Sequence, residues 1–546
     1  FYRAGARDPQ GVEVRRRFGW SGSTLTGYED ELLGAGQEGG GALLAAEIER
    51  PRVGPMRDIV ATIQPEQDDL VRADLDTTIC VQGAPGTGKT AVGLHRAAYL
   101  LYAHRRRLER SGVLVLGPNR TFLGYISAVL PALGEVDVEQ TTLEGLLGAH
   151  PVRAVDSAAA AAVKHDVRMA ELLRRALYGR IRRPAEPAVV ADGSYRWRVG
   201  EDELRRIVED TRRAALPYGI GRERVRARTV AAMRRQAEAR GRTCNAAWER
   251  RIGRALAPAL DATWPAVRPE DVLNEVLSAP PEGLLTDAER AALARPGPPR
   301  GAKSAAWTEA DLVLLDELAC LLERPRGYGH VIVDEAQDLS PMQCRAVARR
   351  SEHGSLTVLG DLAQGTTPWA ARSWPEHLEL LGSPGGRIVE LTTGFRVPGV
   401  VVELANTLLA ALDADVPPTR SHRSDGRLRV IATAELEKGV VAAVREAGGF
   451  EGSIGVIAAD AHVEAITCAL WNEGLDLGER LSVIPASMCK GLEYDHVVLA
   501  EPAAVVAAEP RGLNRLYVAL TRAVSRLDVV HAEPLPPQLS RPSKPF

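Results

Sequence analysis

Eight consecutive residues carry the clearest chemistry in this sequence: Gly83-Ala84-Pro85-Gly86-Thr87-Gly88-Lys89-Thr90. Every position fits GxxxxGK[ST], the loop that wraps phosphates. Its glycines let backbone N–H groups curl around phosphate oxygens, and a helix opening just after it adds positive potential. In that pattern Lys89 sets an ammonium against the β/γ-phosphates and Thr90 offers a hydroxyl to Mg2+. The competing reading is a Gly-rich turn that fits by chance. The β-rich stretch before it (Thr77–Gln82) and the apolar helical pattern after it (Ala91–Tyr102) argue against that.

A second stretch, Val331-Ile332-Val333-Asp334-Glu335-Ala336-Gln337-Asp338, is an apolar strand ending in acids. Asp334 can hold Mg2+ directly or through water, and Glu335 is placed to orient and deprotonate an attacking water. Alone, such a strand end is as readily a solvated loop. With the phosphate loop on the same chain, hydrolysis of ATP with Mg2+ is the better reading.

These motifs need an alternation of strand, loop and helix, the pattern of a parallel α/β domain. Pro65–Leu75 reads as a helix and Val113–Gly117 as a buried strand. The alternation returns at His330–Val333, Leu356–Leu359, Ile388–Leu391, Ile454–Ile457, Leu481–Ile484, Val497–Leu499 and Leu527–Val530. Residues 1–55 read as short strands and loops, with Gly-rich punctuation at Gly34–Gly41, and Pro534–Phe546 reads as a tail. The predicted layout is 56–150 and 326–385 as one domain, 151–325 as a helical insertion with a Pro/Gly break at Pro296–Gly301, and 386–533 as a second domain.

Composition limits the alternatives. The chain has 546 residues, enough for three or four domains, and a net charge of −3. No apolar run reaches the ~18 residues of a membrane span. The six cysteines form no CxxC pair and read as free thiols of a reducing cytoplasm. Cys489, beside Lys490, is expected to have a lowered pKa. No Cys/His cluster has zinc-ligand spacing, and His95 reads as a packing residue. The chain starts at Phe1 with its first Met at 56, so it reads as a piece of a longer one. Only six of its 68 basic residues are Lys, which makes Lys89 and Lys490 stand out inside their motifs.

The near-neutral total hides a contrast. Residues 151–254 hold 25 Lys and Arg against 13 Asp and Glu, a net of +12, leaving −15 elsewhere. With Tyr195, Trp197, Tyr218 and Trp248, this stretch has three open readings: a grip on nucleic-acid phosphate, a face for an acidic partner, or a solvated helical surface.

GAPGTGKT with DEAQD resembles the superfamily 1 helicases of the UvrD/Rep/PcrA type, and further motifs follow in that family's order over residues 63–523. Ile63-Gln64-Pro65-Glu66-Gln67 looks like the Q motif, which implies Gln67 as the adenine reader. Gly360-Asp361-Leu362-Ala363-Gln364 matches GDxxQ, which implies Gln364 as a γ-phosphate sensor. Thr393-Gly394-Phe395-Arg396 stands where the family has an NYR sequence, implying a γ-phosphate contact for Arg396 and a ring near the base for Phe395. Lys490-Gly491-Leu492-Glu493-Tyr494-Asp495 resembles KGLE[FW]D, which implies Gly491 and Glu493 in nucleotide binding. Leu516–Ala523 matches YVALTRA, with Arg522 as arginine finger. The resemblance thus implies an α/β chain of two RecA-like P-loop NTPase domains that sandwich ATP, with a helical insertion in the first.

Ile63–Arg72, Val81–Tyr102, Gly117–Glu135 and Asp338–Arg345 look more like the HelD branch, as does the start at Phe1-Tyr2-Arg3 with Gly11–Gly22. That branch implies an ATPase that binds RNA polymerase and removes it from nucleic acid, using an arm at the position of 151–325. Its coiled coil would precede Phe1. Where UvrD-like enzymes carry a Tyr and an aromatic-Arg pair for gripping single strands, this chain has Thr367, Trp369 and Ala370. Losing the Tyr weakens a strand-tracking grip, since base stacking is worth about 1–3 kcal/mol per base. Trp369 reads equally as a stacking or a packing residue. The expectation is a cytoplasmic monomer whose partner is RNA polymerase. A 3′→5′ helicase acting on DNA or other single-stranded nucleic acid, and a nucleotide-switched binding protein, stay open.

Overall fold

The computed structural model describes residues 9, 11–21, 24–33, 65–120, 123–124, 138–148, 150–295, 305–478 and 480–540. Gly34–Gly41, Ile63, Gln64, most of 121–137, the break at 296–301 and the last six residues lie outside them. Two units are distinguished, one formed by 1–142, 328–339 and 351–546, the other by 143–327 and 340–350.

The first unit holds two all-parallel sheets. In the first, the strands run in the order Arg387–Leu391, Ile79–Gly83, Leu356–Gly360, His330–Val333, Val113–Gly117, Val138–Thr142. The second runs Arg427–Ala432, Ala523–His531, Tyr494–Ala500, Ile454–Ala458, Leu481–Pro485. Strands such as VLVLG and IGVIA are buried at every position, as central parallel strands covered on both faces must be. Helices complete the layers. Lys89–Ala103 packs against the first sheet and Leu436–Gly448 against the second. This is the α/β class with parallel sheets flanked by helices. In such sheets the carboxyl ends of the strands form the binding crevice.

Some boundaries move for physical reasons. Arg387–Leu391 pairs in register with Ile79–Gly83, so the chain leaves the first sheet after Leu391 and not before 386. The helix expected over Pro65–Leu75 ends at Val71. Its terminal carbonyls are taken by the fully buried Arg96, which donates to Leu70 O at 3.0 Å, Ala73 O at 2.5 Å and Asp74 O at 2.9 Å. Arg96 also reaches Thr77 O and the Thr357 hydroxyl, tying this corner to the sheet. The segment read as a tail is partly core, because Leu535 and Leu539 pack on the second sheet's cluster. Near the chain start, Arg15–Ser21 and Thr24–Glu31 form an antiparallel hairpin with an Arg16–Asp30 ion pair at 2.5 Å.

Among the described residues the second unit is helical apart from loops, the antiparallel hairpin Ala188–Asp192/Tyr195–Val199 and a single bridge between Val152 and Trp307. Alternating burial along Ala188–Asp192 marks one face in and one out. Helix Pro341–Ala348, expected with the first α/β domain, instead buries Met342 and Ala346 in this unit's core. Its Arg349 and Arg350 pair with Asp316, and its Arg345 pairs with Glu317, on helix Glu309–Leu322. The aromatics considered for stacking on bases are mostly core: Trp197, Tyr218 and Trp248 are buried, with Trp264 and Trp307. Most of the unit's arginines are also neutralised. Arg168, Arg174, Arg205, Arg222 and Arg226 each hold an acid of the same unit.

Replacing Arg96 with Leu strips several buried carbonyls of their donor, each worth about 1–3 kcal/mol when left unsatisfied. A clear fall in the midpoint of thermal unfolding is expected. An unchanged midpoint would mean that the guanidinium contributes nothing net.

Candidate active site

The phosphate loop spans the end of Ile79–Gly83 and the start of Lys89–Ala103. Gly86 and Gly88 have φ of 78° and 85°, a region that other residues enter at a cost. Space is short as well. A Cβ on Gly86 would lie 2.7 Å from Arg396 Cβ, and one on Gly88 2.9 Å from Gln67 Nε2. The turn is pinned by the Thr87 hydroxyl donating to Ala84 O at 2.8 Å and by Gln67 Nε2 donating to Thr87 O at 2.9 Å. Lys89 Nζ donates to Gly83 O at 2.6 Å, which holds the ammonium at the loop. Pro85 O faces Gly394, and Phe395 N–H donates to Gly86 O at 2.9 Å.

Strand His330–Val333 delivers Asp334 and Glu335 next to this loop. Thr90 Oγ1 donates to Asp334 Oδ2 at 2.7 Å, so the two expected Mg2+ ligands are already in contact. Asp334 is buried, and burial first, then the Glu335 charge, push its pKa up. Glu335 adopts φ 52°. Burial opposes its charge, but Lys490 and then Lys89 outweigh that and hold its carboxylate well below the usual range. Gln337 Nε2 donates to Glu335 Oε2 at 2.7 Å and fixes its direction.

The second sheet reaches the same place. Lys490 Nζ lies 3.0 Å from Glu335 Oε2, pairs with Asp338, and donates to Gln364 O at 3.1 Å. Arg522 Nη2 donates to Gln364 Oε1 at 3.1 Å, and Gln364 Nε2 donates to Asp361 Oδ2 at 2.9 Å. Asp361 in turn accepts from Gln82 Nε2 at 2.9 Å, on the strand that leads into the phosphate loop. Gln337 closes the ring by accepting the Asp361 N–H at 3.1 Å. Arg396 pairs with Glu493 beside Gly86. Asn514 and Arg511 bind the carbonyls of Ala363, Gly365 and Ala370, locking the GDxxQ segment to the second sheet's helix.

Gln67, the whole loop from Gly83 to Thr90, Asp334, Glu335, Gln364, Phe395, Arg396, Glu493 and Arg522 therefore gather around one crevice. Phe395 is half-buried with His422 as ring neighbour at 5.7 Å. Gly491 is different. It is exposed, with φ 80° and the Asn119 amide as its neighbour. Five residues of this ring were not picked out as site residues: Gln82, Gln337, Asp338, Asp361 and Lys490. For Lys490 the scarcity of Lys was the usable signal. Trp369 is half-buried and its indole N–H donates to Asp338 O at 3.0 Å, which makes it a brace for the acidic loop.

The expected lowering of the Cys489 pKa is overturned. Its thiol is fully buried, and burial pushes the pKa up despite Arg522 and Arg515 nearby.

Residues 1–43 match the family model described as DNA helicase IV HelD, N-terminal domain. No curated protein matches. Among solved structures, the C-terminal domain of a possible DNA helicase from Lactobacillus plantarum WCFS1 is similar at 23% identity. That match covers 27% of this chain and 92% of that one, with a TM-score of 0.21. The Arterivirus nonstructural protein 10 (helicase), solved with DNA, is similar at 17% identity over 36% of this chain and 38% of that one, with a TM-score of 0.23. No helix among the described residues is long and apolar enough to cross a membrane.

Thiol chemistry tests the electrostatics directly. Under brief alkylation of the native protein, Cys468, which is exposed, should react first, and buried Cys80, Cys344 and Cys489 last. Peptide mass spectrometry reads the order. Early labelling of Cys489 would show an activated thiol.

Proposed function

We propose that this chain is an ATP-driven, superfamily 1 helicase-like motor of the HelD type, hydrolysing ATP between its two parallel-sheet domains to remodel RNA polymerase or release it from nucleic acid. The carrying observation is the single hydrogen-bonded network that joins the phosphate loop, Glu335 and Gln364 to Lys490 and Arg522 of the second sheet.

The residues fit the groups this reading needs. A loop with two left-handed glycines and no room for Cβ atoms suits a phosphate chain held by backbone N–H groups. Thr90 and Asp334 are adjacent hard oxygen donors, the chemistry of a Mg2+ site. Bound ATP and Mg2+ would supply the phosphoanhydride to be broken and a cation to offset its charge. Lys89 would then exchange the Gly83 carbonyl for phosphate oxygens. Glu335, kept ionised, is the base that accepts a proton from water, with Gln337 aiming its carboxylate. Gln364 senses the γ-phosphate, while Arg396 and Arg522 bring positive charge from the opposite side as charge develops there. Gln67 and Phe395 are the proposed adenine contacts, and Gly491 and Glu493 are proposed as further nucleotide contacts. Because Gln364 binds Arg522 and its carbonyl binds Lys490, a change at the phosphate would move the second domain.

The match of residues 1–43 to the family model described as DNA helicase IV HelD, N-terminal domain, supports the HelD type of this reading. So does the Thr367–Trp369 segment. Both the Thr367 hydroxyl and the Trp369 indole donate to Asp338 O, which commits them to bracing the acidic loop. The ionised, oriented Glu335 supports hydrolysis over a nucleotide-binding switch. The deciding assay pairs co-purification of RNA polymerase with unwinding of a tailed duplex. Polymerase capture without unwinding is expected, and unwinding without capture would replace this reading with the helicase one.

Lys89→Ala and Glu335→Gln should each lower steady-state phosphate release by roughly 100-fold or more. Full turnover by both variants would sink the site. Lys490→Ala removes the main cation that depresses Glu335. Its carboxylate then titrates at higher pH, so the acid limb of the kcat profile should move up in pH while nucleotide affinity changes little. Lys490→Arg should restore the limb in part. An unmoved acid limb would remove Lys490 from any influence on the base.

A further inference from the structure

The insertion's excess charge is unevenly placed. Helix Ala246–Ala255 packs against strand Ala188–Asp192, and helix Tyr218–Ala239 against strand Tyr195–Val199. The two segments brought together this way, 188–200 and 239–254, hold seven Arg against two acids, Asp192 and Glu249. Both acids are engaged. Glu249 holds Arg234 at 2.8 Å, and the buried Asp192 accepts the indole N–H groups of Trp197 and Trp248 at 3.1 and 2.8 Å and pairs with Arg251 at 2.7 Å.

Asp192 and the rings beneath the hairpin fix the cations above them. Tyr195 stacks on Trp197 with centroids 5.3 Å apart and planes within 7°. Arg242 lies over the Tyr195 ring at 5.0 Å and Arg240 over the Trp197 ring at 5.5 Å. Gln236 clamps the outer strand, donating to Arg198 O at 2.7 Å and accepting its N–H. The outward face carries Arg196 and Arg198, both exposed and, among the described residues, without an acidic partner. Alternation sets them on one face about 6.7 Å apart. That spacing is close to the separation of neighbouring phosphates on a nucleic-acid strand. A guanidinium is a planar fork suited to phosphate oxygens. Arg250 and Arg254, one turn apart, are exposed on the adjoining helix.

We propose that this hairpin face is a docking site for the phosphate backbone of a nucleic-acid strand, with Arg196 and Arg198 as its direct contacts. Its specificity is for charge and spacing, not sequence, because the aromatic residues that would read bases are buried below it. Ring stacking and Asp192 hold Arg240, Arg242 and Arg251 around the hairpin. The site depends on the insertion's own geometry and stands or falls separately from the ATP reading.

The test uses the full chain and a fluorescein-labelled (dT)20 strand, with anisotropy followed across a salt series. The Arg196→Ala/Arg198→Ala double variant should weaken binding about tenfold at low salt. It should also flatten the slope of log K against log salt by about 1.4, the value for two lost single-strand phosphate contacts. The Arg196→Lys/Arg198→Lys variant keeps both charges and should keep the slope. Both side chains are exposed, so an unchanged thermal midpoint and phosphate-release rate confirm intact variants. An unaltered affinity and slope in the Ala variant overturns the proposal. Loss of polyglutamate binding with (dT)20 binding intact overturns it too, and assigns the face to an acidic protein.

Discussion

Two adjacent carboxylates at the end of a buried strand impose the central constraint on this molecule. Asp334 and Glu335 cannot both stay ionised in low dielectric without nearby cations and donors. Much of the surrounding arrangement answers that requirement. Thr90 gives Asp334 a hydroxyl, Gln337 gives Glu335 an amide, and Lys89 and Lys490 supply charge from two different parts of the fold. The outcome is unequal. Asp334 is shifted toward its neutral form and Glu335 away from it. The split leaves Glu335 as the member of the pair that is kept ionised.

The same constraint explains why the second sheet is needed at the site. Lys490 sits on the turn before Tyr494–Ala500, so Glu335 is fully compensated only when the two sheets are together. Arg522 and Arg396 add cations on that side, but neither is left bare. Gln364 and Glu493 occupy them, which keeps buried guanidiniums satisfied until an anion offers a better partner.

The local motifs were legible because each is a continuous run whose spacing is its mechanism. The loop Gly83–Thr90 and the strand ending at Asp334 could be read with their neighbours. The relations between motifs were not, because they depend on contacts 120 to 280 residues apart. Gln82 to Asp361 and Lys490 to Glu335 leave no periodic trace. Cys489 shows the limit of reading from adjacency. A neighbouring Lys suggested an activated thiol, but the Lys side chain goes to Glu335 and Asp338 while the thiol goes into the core. The strand Arg387–Leu391 was recognised as a strand, yet its sheet could be learned only from its pairing with Ile79–Gly83.

Charge in the insertion follows the same logic at larger scale. A net of +12 read from composition left a phosphate grip, an acidic-partner face and a solvated helical surface all open, and helical spacing lets several of the arginines find an acid three or four residues away, as Arg205 does with Glu201 and Asp202. Part of what remains after that pairing is set by strand geometry. On a short hairpin, alternation sends Tyr195, Trp197 and Val199 toward the core and leaves Arg196 and Arg198 together on the outside, with no helical neighbour to cancel them. Net charge is therefore a poor guide to where this unit is positive.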